Sequence, residues 1–209
     1  VSTFAAVKNL AKSKGVQGKI EVSKDMLVTS RKIRNRKNAP WERGRQLAVI
    51  ARRSWDLNGN KVTDKHLLDI LNISGKSFEK IIQPQNTGLP LGLSIKKEGS
   101  EQLKFLFRAR NRPSGRFEAA RFLADWLMES KNDHWFPATV AKTARQKVQR
   151  AFAAEFLCPI ESLTEFLNTD FSEDKIEDAA AHFEVSSRTI LSHLVNHGKL
   201  SREFITWDW

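Results

Sequence analysis

The feature that most constrains the fold of this chain is a change of hydrophobic period in its middle. From Trp41 to Leu71, and again beyond Phe117, apolar residues recur three and four apart, as on one face of a helix. Between Gln83 and Arg112 they alternate instead. Pro84, Gly88, Pro90 and Gly92 punctuate that interval, and Leu91, Leu93 and Ile95 then alternate with small or polar residues. Leu103-Lys104-Phe105-Leu106-Phe107 is a second short β segment, and Lys97-Glu98-Gly99-Ser100 between the two reads as a hairpin turn. The expected fold is α+β and mainly helical, with one small antiparallel β-hairpin or sheet and about six helices.

The helices are placed by caps and faces. Pro40 opens one whose Leu47, Ile50, Ala51 and Trp55 share a side. After the turn Asn58-Gly59-Asn60, Thr63-Asp64 caps a second, with Leu67, Leu68, Ile70 and Leu71 inward. A third is expected over residues 117–129 with Ala120, Leu123, Ala124 and Leu127 inward. A long fourth spans about 138–157, ends at Pro159 and carries Ala151, Ala153 and Ala154, which permit close helix approach. Residues 174–183 and 187–196 form a terminal pair closed by Gly198. The chain divides into a basic arm or extension (1–38), a domain (39–170) and a C-terminal helical pair packed on it (171–209), with Trp207-Asp208-Trp209 expected to fold back onto the core, the alternative being an exposed docking hook.

Charge is partitioned along this order. Residues 1–53 hold 14 Lys+Arg and 3 Asp+Glu, residues 54–154 hold 17 and 10, and residues 155–209 hold 4 and 11, within a total of +11. Anionic partners are drawn to the first part and repelled from the last. The run Arg31-Lys32-Ile33-Arg34-Asn35-Arg36-Lys37 reads as a solvated arm or as a nucleic-acid contact. Arg43, Arg45, Arg52 and Arg53, with Lys104, Arg108, Arg110, Arg112 and Arg116 after the hairpin, extend it into a candidate basic surface, on which Trp41 and Trp55 offer stacking faces. The terminal pair has the form of a helix-turn-helix. Its second helix offers Arg188, Asn196 and Lys199, but Glu173, Asp174, Glu177, Asp178 and Glu184 precede it, so electrostatics oppose contact with a polyanion. It is expected to complete the core or meet a partner protein.

No run of about 18 apolar residues is present, which excludes a membrane-spanning helix. The opening segment has lysines without an apolar core, so no secretory signal is expected. The single cysteine, Cys158, reads as a buried small hydrophobe and points to a reducing cytoplasm. No phosphate-binding loop, Gly-x-Ser-x-Gly elbow or dinucleotide fingerprint occurs. Among His66, His134, His182, His193 and His197, the last two have a ligand-compatible spacing of four. Leu194 follows His193 where a metalloprotease needs a base, so this pair is read as two histidines on a solvent face. No metal and no cofactor are expected.

Three local sequences carry a resemblance. Ser114-Gly115-Arg116-Phe117-Glu118-Ala119-Ala120 leads into a helix, Ala151-Phe152-Ala153-Ala154-Glu155-Phe156-Leu157-Cys158-Pro159 closes the long one, and Ala179-Ala180-Ala181-His182-Phe183-Glu184-Val185-Ser186 lies in the terminal pair. In this order, over residues 41–200, the chain resembles the ImmA/IrrE family of bacterial zinc metallopeptidases. The three segments are similar to the family's approach to its His-Glu-x-x-His helix, to the segment bearing its third metal-binding glutamate, and to its terminal helices. The resemblance implies a zincin-like scaffold and roles in clearing repressors of mobile elements or in stress response.

At the position of the zinc motif this chain reads Arg121-Phe122-Leu123-Ala124-Asp125. A guanidinium has no lone pair for a metal, and Phe122 cannot serve as a base. The family geometry would have Arg121 take the place of the metal and bridge Asp125 and Glu155. The chain is therefore expected to be a degenerate, non-catalytic member that regulates or binds a protein partner. The alternatives are a nucleic-acid-binding protein using its basic N-terminal half and, third, a zinc peptidase with a rebuilt site.

Overall fold

A computed structural model of the chain describes residues 15–57, 59–82, 91–109, 111–128 and 133–204. β1 (Val16–Lys19) precedes the expected hairpin, in which β2 (Gly92–Lys96) and β3 (Gln102–Leu106) pair antiparallel around a turn whose Gly99 has a positive φ of 67°. The sheet is wider than the hairpin. β1 adds to β3 with Val16 opposite Phe105, and β4 (Trp135–Ala138) adds to β2 with Leu93 opposite Pro137, giving the order β1-β3-β2-β4, antiparallel throughout.

Nine α-helices lie among the described residues: α1 (Lys24–Arg34), α2 (Pro40–Ser54), α3 (Asp64–Leu71), α4 (Gly75–Ile82), α5 (Arg112–Leu127), α6 (Ala144–Leu157), α7 (Ile160–Leu167), α8 (Glu173–Phe183) and α9 (Ser187–Asn196). The fold is α+β and mainly helical. No described helix is long and apolar enough to cross a membrane.

The larger helix count than the expected six has local causes. Residues 15–34 are not a free arm: Ile20, Met26 and Ile33 are buried in the main core and Ser23 caps α1 by accepting the Met26 N–H at 3.2 Å. The buried stripe of α1, Met26, Ser30 and Ile33, is narrow and interleaved with cations, so composition hid it. α5 begins before Phe117 because Asn111 and Ser114 form a reciprocal cap, with Ser114 N–H to Asn111 Oδ1 at 3.0 Å. α6 begins at Ala144, since the preceding stretch is spent on β4. Pro159 both ends α6 and stands at the N-cap of α7, so a stop signal concealed a start.

α5 is the centre of the molecule. From Glu118 to Leu127 every side chain on it is buried, around its whole circumference. Phe105 and Phe107 lie against its Phe122, with ring centroids at 5.8 and 5.3 Å. α6 packs on α5 and is crossed on its other side by α2 at Gly44. The terminal helices pack rather than project: Ile190 and Leu194 of α9 are fully buried with Phe183 and Val185 in the same core. Pro84, Gly88, Pro90, Arg110, Glu129 and Trp207-Asp208-Trp209 fall outside the described residues.

Candidate functional site

A central helix buried on all sides must find partners for each polar group it carries. Four of the ionisable groups on α5, Arg116, Glu118, Arg121 and Asp125, are buried. Arg116 donates from Nε to the Glu184 carbonyl at 3.0 Å, pairs with the Glu184 carboxylate at 2.9 Å, and also holds the Asp64 carboxylate and the Val62 carbonyl. It joins α5 to the start of α3 and to the α8–α9 turn, and is no part of a basic surface. Glu118 accepts the Arg108 and Ala109 N–H groups at 2.7 and 3.1 Å. Burial raises its carboxyl above the ordinary value against those bonds.

Arg121, only 7% exposed, lies at the junction of α5, α6 and β4. Its Nη2 donates to the Thr139 carbonyl at 2.7 Å, to Gln149 Oε1 at 3.1 Å and to Gln146 Oε1. Gln146 and Gln149 in turn donate to the Pro137 carbonyl at 2.8 and 3.1 Å, and Gln146 Oε1 also accepts the Thr139 N–H at 2.9 Å. Burial draws the guanidinium down to about 10, so it remains charged at neutral pH. Asp125, one turn along, is held by Arg145 Nε at 2.6 Å, and burial raises its carboxyl despite that partner.

The expected bridge from Arg121 to Asp125 and Glu155 is therefore not formed. The reason is the period of α6. Glu155 follows Gln146 by nine residues, two and a half turns, so the two point to opposite sides of the helix. The side facing α5 carries the glutamines, and Glu155 faces α2 and α9. Sequence reasoning had no residue-level signal for the glutamines, which are unremarkable until their helix face is known.

On that opposite side Glu155 meets the two histidines. Its Oε2 lies 3.3 Å from His193 Nε2 and 3.8 Å from His197 Nε2, and the imidazole centroids are 4.7 Å apart. Glu155 and His193 are each 4% exposed. The reading of the histidines as a solvent-facing pair is corrected: α9 turns this face onto α6, and the spacing of four aligns both rings with one carboxylate. Burial would raise Glu155, but His193, Arg45 and His197 hold it below its ordinary value. Burial, then the charges of His193 and Arg45, push His197 down to about 4, leaving its ring neutral. Nearby Cys158 is buried and its thiol is pushed up, consistent with an inert hydrophobe.

The candidate basic surface is dispersed. Arg31, Lys32, Arg36, Lys37 and Arg53 are exposed, with Arg36 on Gln46 at 3.1 Å, and Arg34 is half-buried. Arg52 is buried, donating to the carbonyls of Phe156 and Asn60, and does not belong to any surface. Arg43 donates to the Arg34 carbonyl at 2.9 Å, Arg45 lies 3.8 Å from Glu155, and Arg112 pairs with Asp64 and with Glu79 at 3.3 Å. Lys104 and Arg108 are half-buried beside the sheet, and Arg110 lies outside the described residues. Trp41 is 50% exposed, whereas Trp55 packs edge-on against Phe156 at 6.0 Å.

Chemically the two clusters differ. Around Arg121 one guanidinium nitrogen, Nη2, meets three oxygen acceptors while Nε is buried without a partner, and no hydroxyl, thiol or imidazole is among these donors and acceptors. Around Glu155 two ring nitrogens and a carboxylate oxygen converge, the donor types that bind transition metals. No protein-family model, no curated protein and no solved structure matches the chain.

Proposed function

We propose that the chain is a non-catalytic regulatory protein that acts by binding a partner rather than by cleaving one, as the resemblance to a degenerate metallopeptidase implies. The observation that carries this reading is the buried Arg121 guanidinium, fastened to Thr139, Gln146 and Gln149 at the position where the resemblance places an imidazole. A peptidase centre needs a nucleophilic water and a group to take its proton. The Arg121 cluster offers a cation, two amides and a backbone carbonyl, joined through Arg121 Nη2. The carboxylate one turn along α5, Asp125, is held by Arg145.

The test is a cleavage assay on unfolded and folded substrate proteins with added zinc or cobalt. The reading expects substrates to stay intact. Cleavage that a chelator abolishes and that Asp125→Asn or Gln146→Ala removes would contradict it.

A second reading, a nucleic acid as the partner, is favoured by one feature: exposed Arg31, Lys32, Arg36 and Lys37 at the end of α1 next to the half-exposed Trp41 at the start of α2. Cations that meet phosphates beside an aromatic face that stacks on bases are the elements of single-strand recognition. The nearby groove lined by Lys19, Arg31, Arg34 and Lys96 adds less, because Glu21 and Glu101 pair with its two lysines at 2.6 and 3.4 Å. Fluorescence anisotropy of a labelled oligonucleotide at low salt tests this reading, and no binding there removes it.

A further inference from the structure

We propose that Glu155, His193 and His197 form a binding site for one divalent transition cation of the zinc class, which fastens α9 to α6. This goes beyond the non-catalytic reading and does not depend on it, because the site shares no residue with the Arg121 cluster. It also differs from the arrangement the resemblance implies, since both imidazoles come from α9 and none from α5.

The donor atoms are already gathered. One atom from each residue lies within 4.8 Å of the others. Tetrahedral zinc with bonds of about 2.0–2.2 Å places its ligands roughly 3.4 Å apart. Glu155 Oε2 to His193 Nε2, at 3.3 Å, meets that spacing, and Glu155 to His197, at 3.8 Å, needs a small rotation.

Two further observations point to a missing occupant. Glu155 Oε2 and His193 Nε2 are both buried and stand 3.3 Å apart as an ion pair, without the alignment of a hydrogen bond. At such depth these atoms have ion-pair contacts but no hydrogen bond, and a shared cation would satisfy both. The backbone field favours a cation as well. Glu155 lies in the last turn of α6, His193 in the last turn of α9, and His197 at the C-cap of α9, so two helix C-termini turn their negative ends toward the site.

One group opposes occupancy. Arg45 stands 3.8 Å from Glu155 and competes for the carboxylate, but its side chain is 41% exposed and can turn into solvent. The residue after His193 is Leu194, fully buried, so the position following the first imidazole supplies no carboxylate to take a proton from metal-bound water. The cation's role is to hold the terminal helices, not to drive hydrolysis.

The experiment uses the full chain stripped with a chelator and titrated with Co²⁺, followed by displacement with Zn²⁺. One equivalent of Co²⁺ with the intense visible bands of a four-coordinate site is expected, and Zn²⁺ should raise the thermal midpoint. His197→Gln at a half-buried position, and Glu155→Gln, should each weaken binding by about a hundredfold with unchanged far-UV circular dichroism. Arg45→Ala should tighten binding about tenfold. Should Glu155→Gln fail to fold, His197→Gln decides. Absence of a bound equivalent at about 100 µM free Co²⁺ or Zn²⁺ would overturn the proposal. So would a bound equivalent indifferent to His197→Gln. A cleavage assay is not part of this readout, so its outcome and that of the metal titration are distinguishable.

Discussion

Glu118 shows how a single buried carboxylate sets a pH dependence. One of its oxygens is the acceptor for two backbone N–H groups just past β3, those of Arg108 and Ala109, and its other oxygen abuts Gly92, where an added Cβ would overlap it. Its folded pKa lies above the ordinary carboxyl value, with burial as the main cause. The folded state therefore binds this proton more tightly than the unfolded chain. The group's stabilising share appears as pH falls through the folded value and is absent above it. Glu118→Gln keeps an acceptor and removes the titration. Thermal unfolding near pH 5 and near pH 8 should show a smaller gain on acidification in the variant than in the parent chain; equal gains would place the titration elsewhere. At this scale the sequence identified Arg121, Asp125 and Glu155 as residues of interest but not their partners. Partnership depends on which side of α6 a residue takes, and a helix whose two sides both meet protein carries no polar stripe to reveal it.

Among the elements, the hairpin and the terminal pair were legible because each is marked locally, by alternation around Gly99 and by caps around Glu184 and Gly198. β1 and β4 were not. Each has only four residues, one inside a cationic stretch and one interrupted by Pro137, and each becomes a strand by pairing with the hairpin rather than by its own pattern. The α2–α6 crossing was half legible, since the small residues of α6 announced close approach without naming the partner. That partner is Gly44: a Cβ there would overlap the Val148 carbonyl and stand 2.9 Å from the Ala151 Cβ. Because backbone blocks it, Gly44→Ala must spread the two helices, and we expect a loss of about 1–3 kcal/mol in urea unfolding. A loss near zero would mean that the crossing has room that this packing does not show.

For the whole molecule, charge and burial decide different things. The basic excess of the first 53 residues and the acidic C-terminal segment were read from the sequence, but burial withdraws Arg52 and Arg116 from any external field. What remains outward is the end of α1 and the loop after it. If a nucleic acid binds there, affinity should fall by roughly two orders of magnitude or more between about 50 and 200 mM salt, and Arg36→Gln with Lys37→Gln should flatten that slope; salt-independent binding would exclude phosphate contacts. The account as a whole rests on Arg121 as a fastener of α5, α6 and β4 rather than a relic on the surface. Equilibrium denaturation of Arg121→Ala tests this most directly, because the substitution takes the guanidinium donor from the Thr139 carbonyl and from Gln149 Oε1, and leaves Gln146 Oε1 with the Thr139 N–H alone. The account predicts a loss of about 3 kcal/mol with an unchanged denaturant slope. A variant as stable as the parent chain would contradict it.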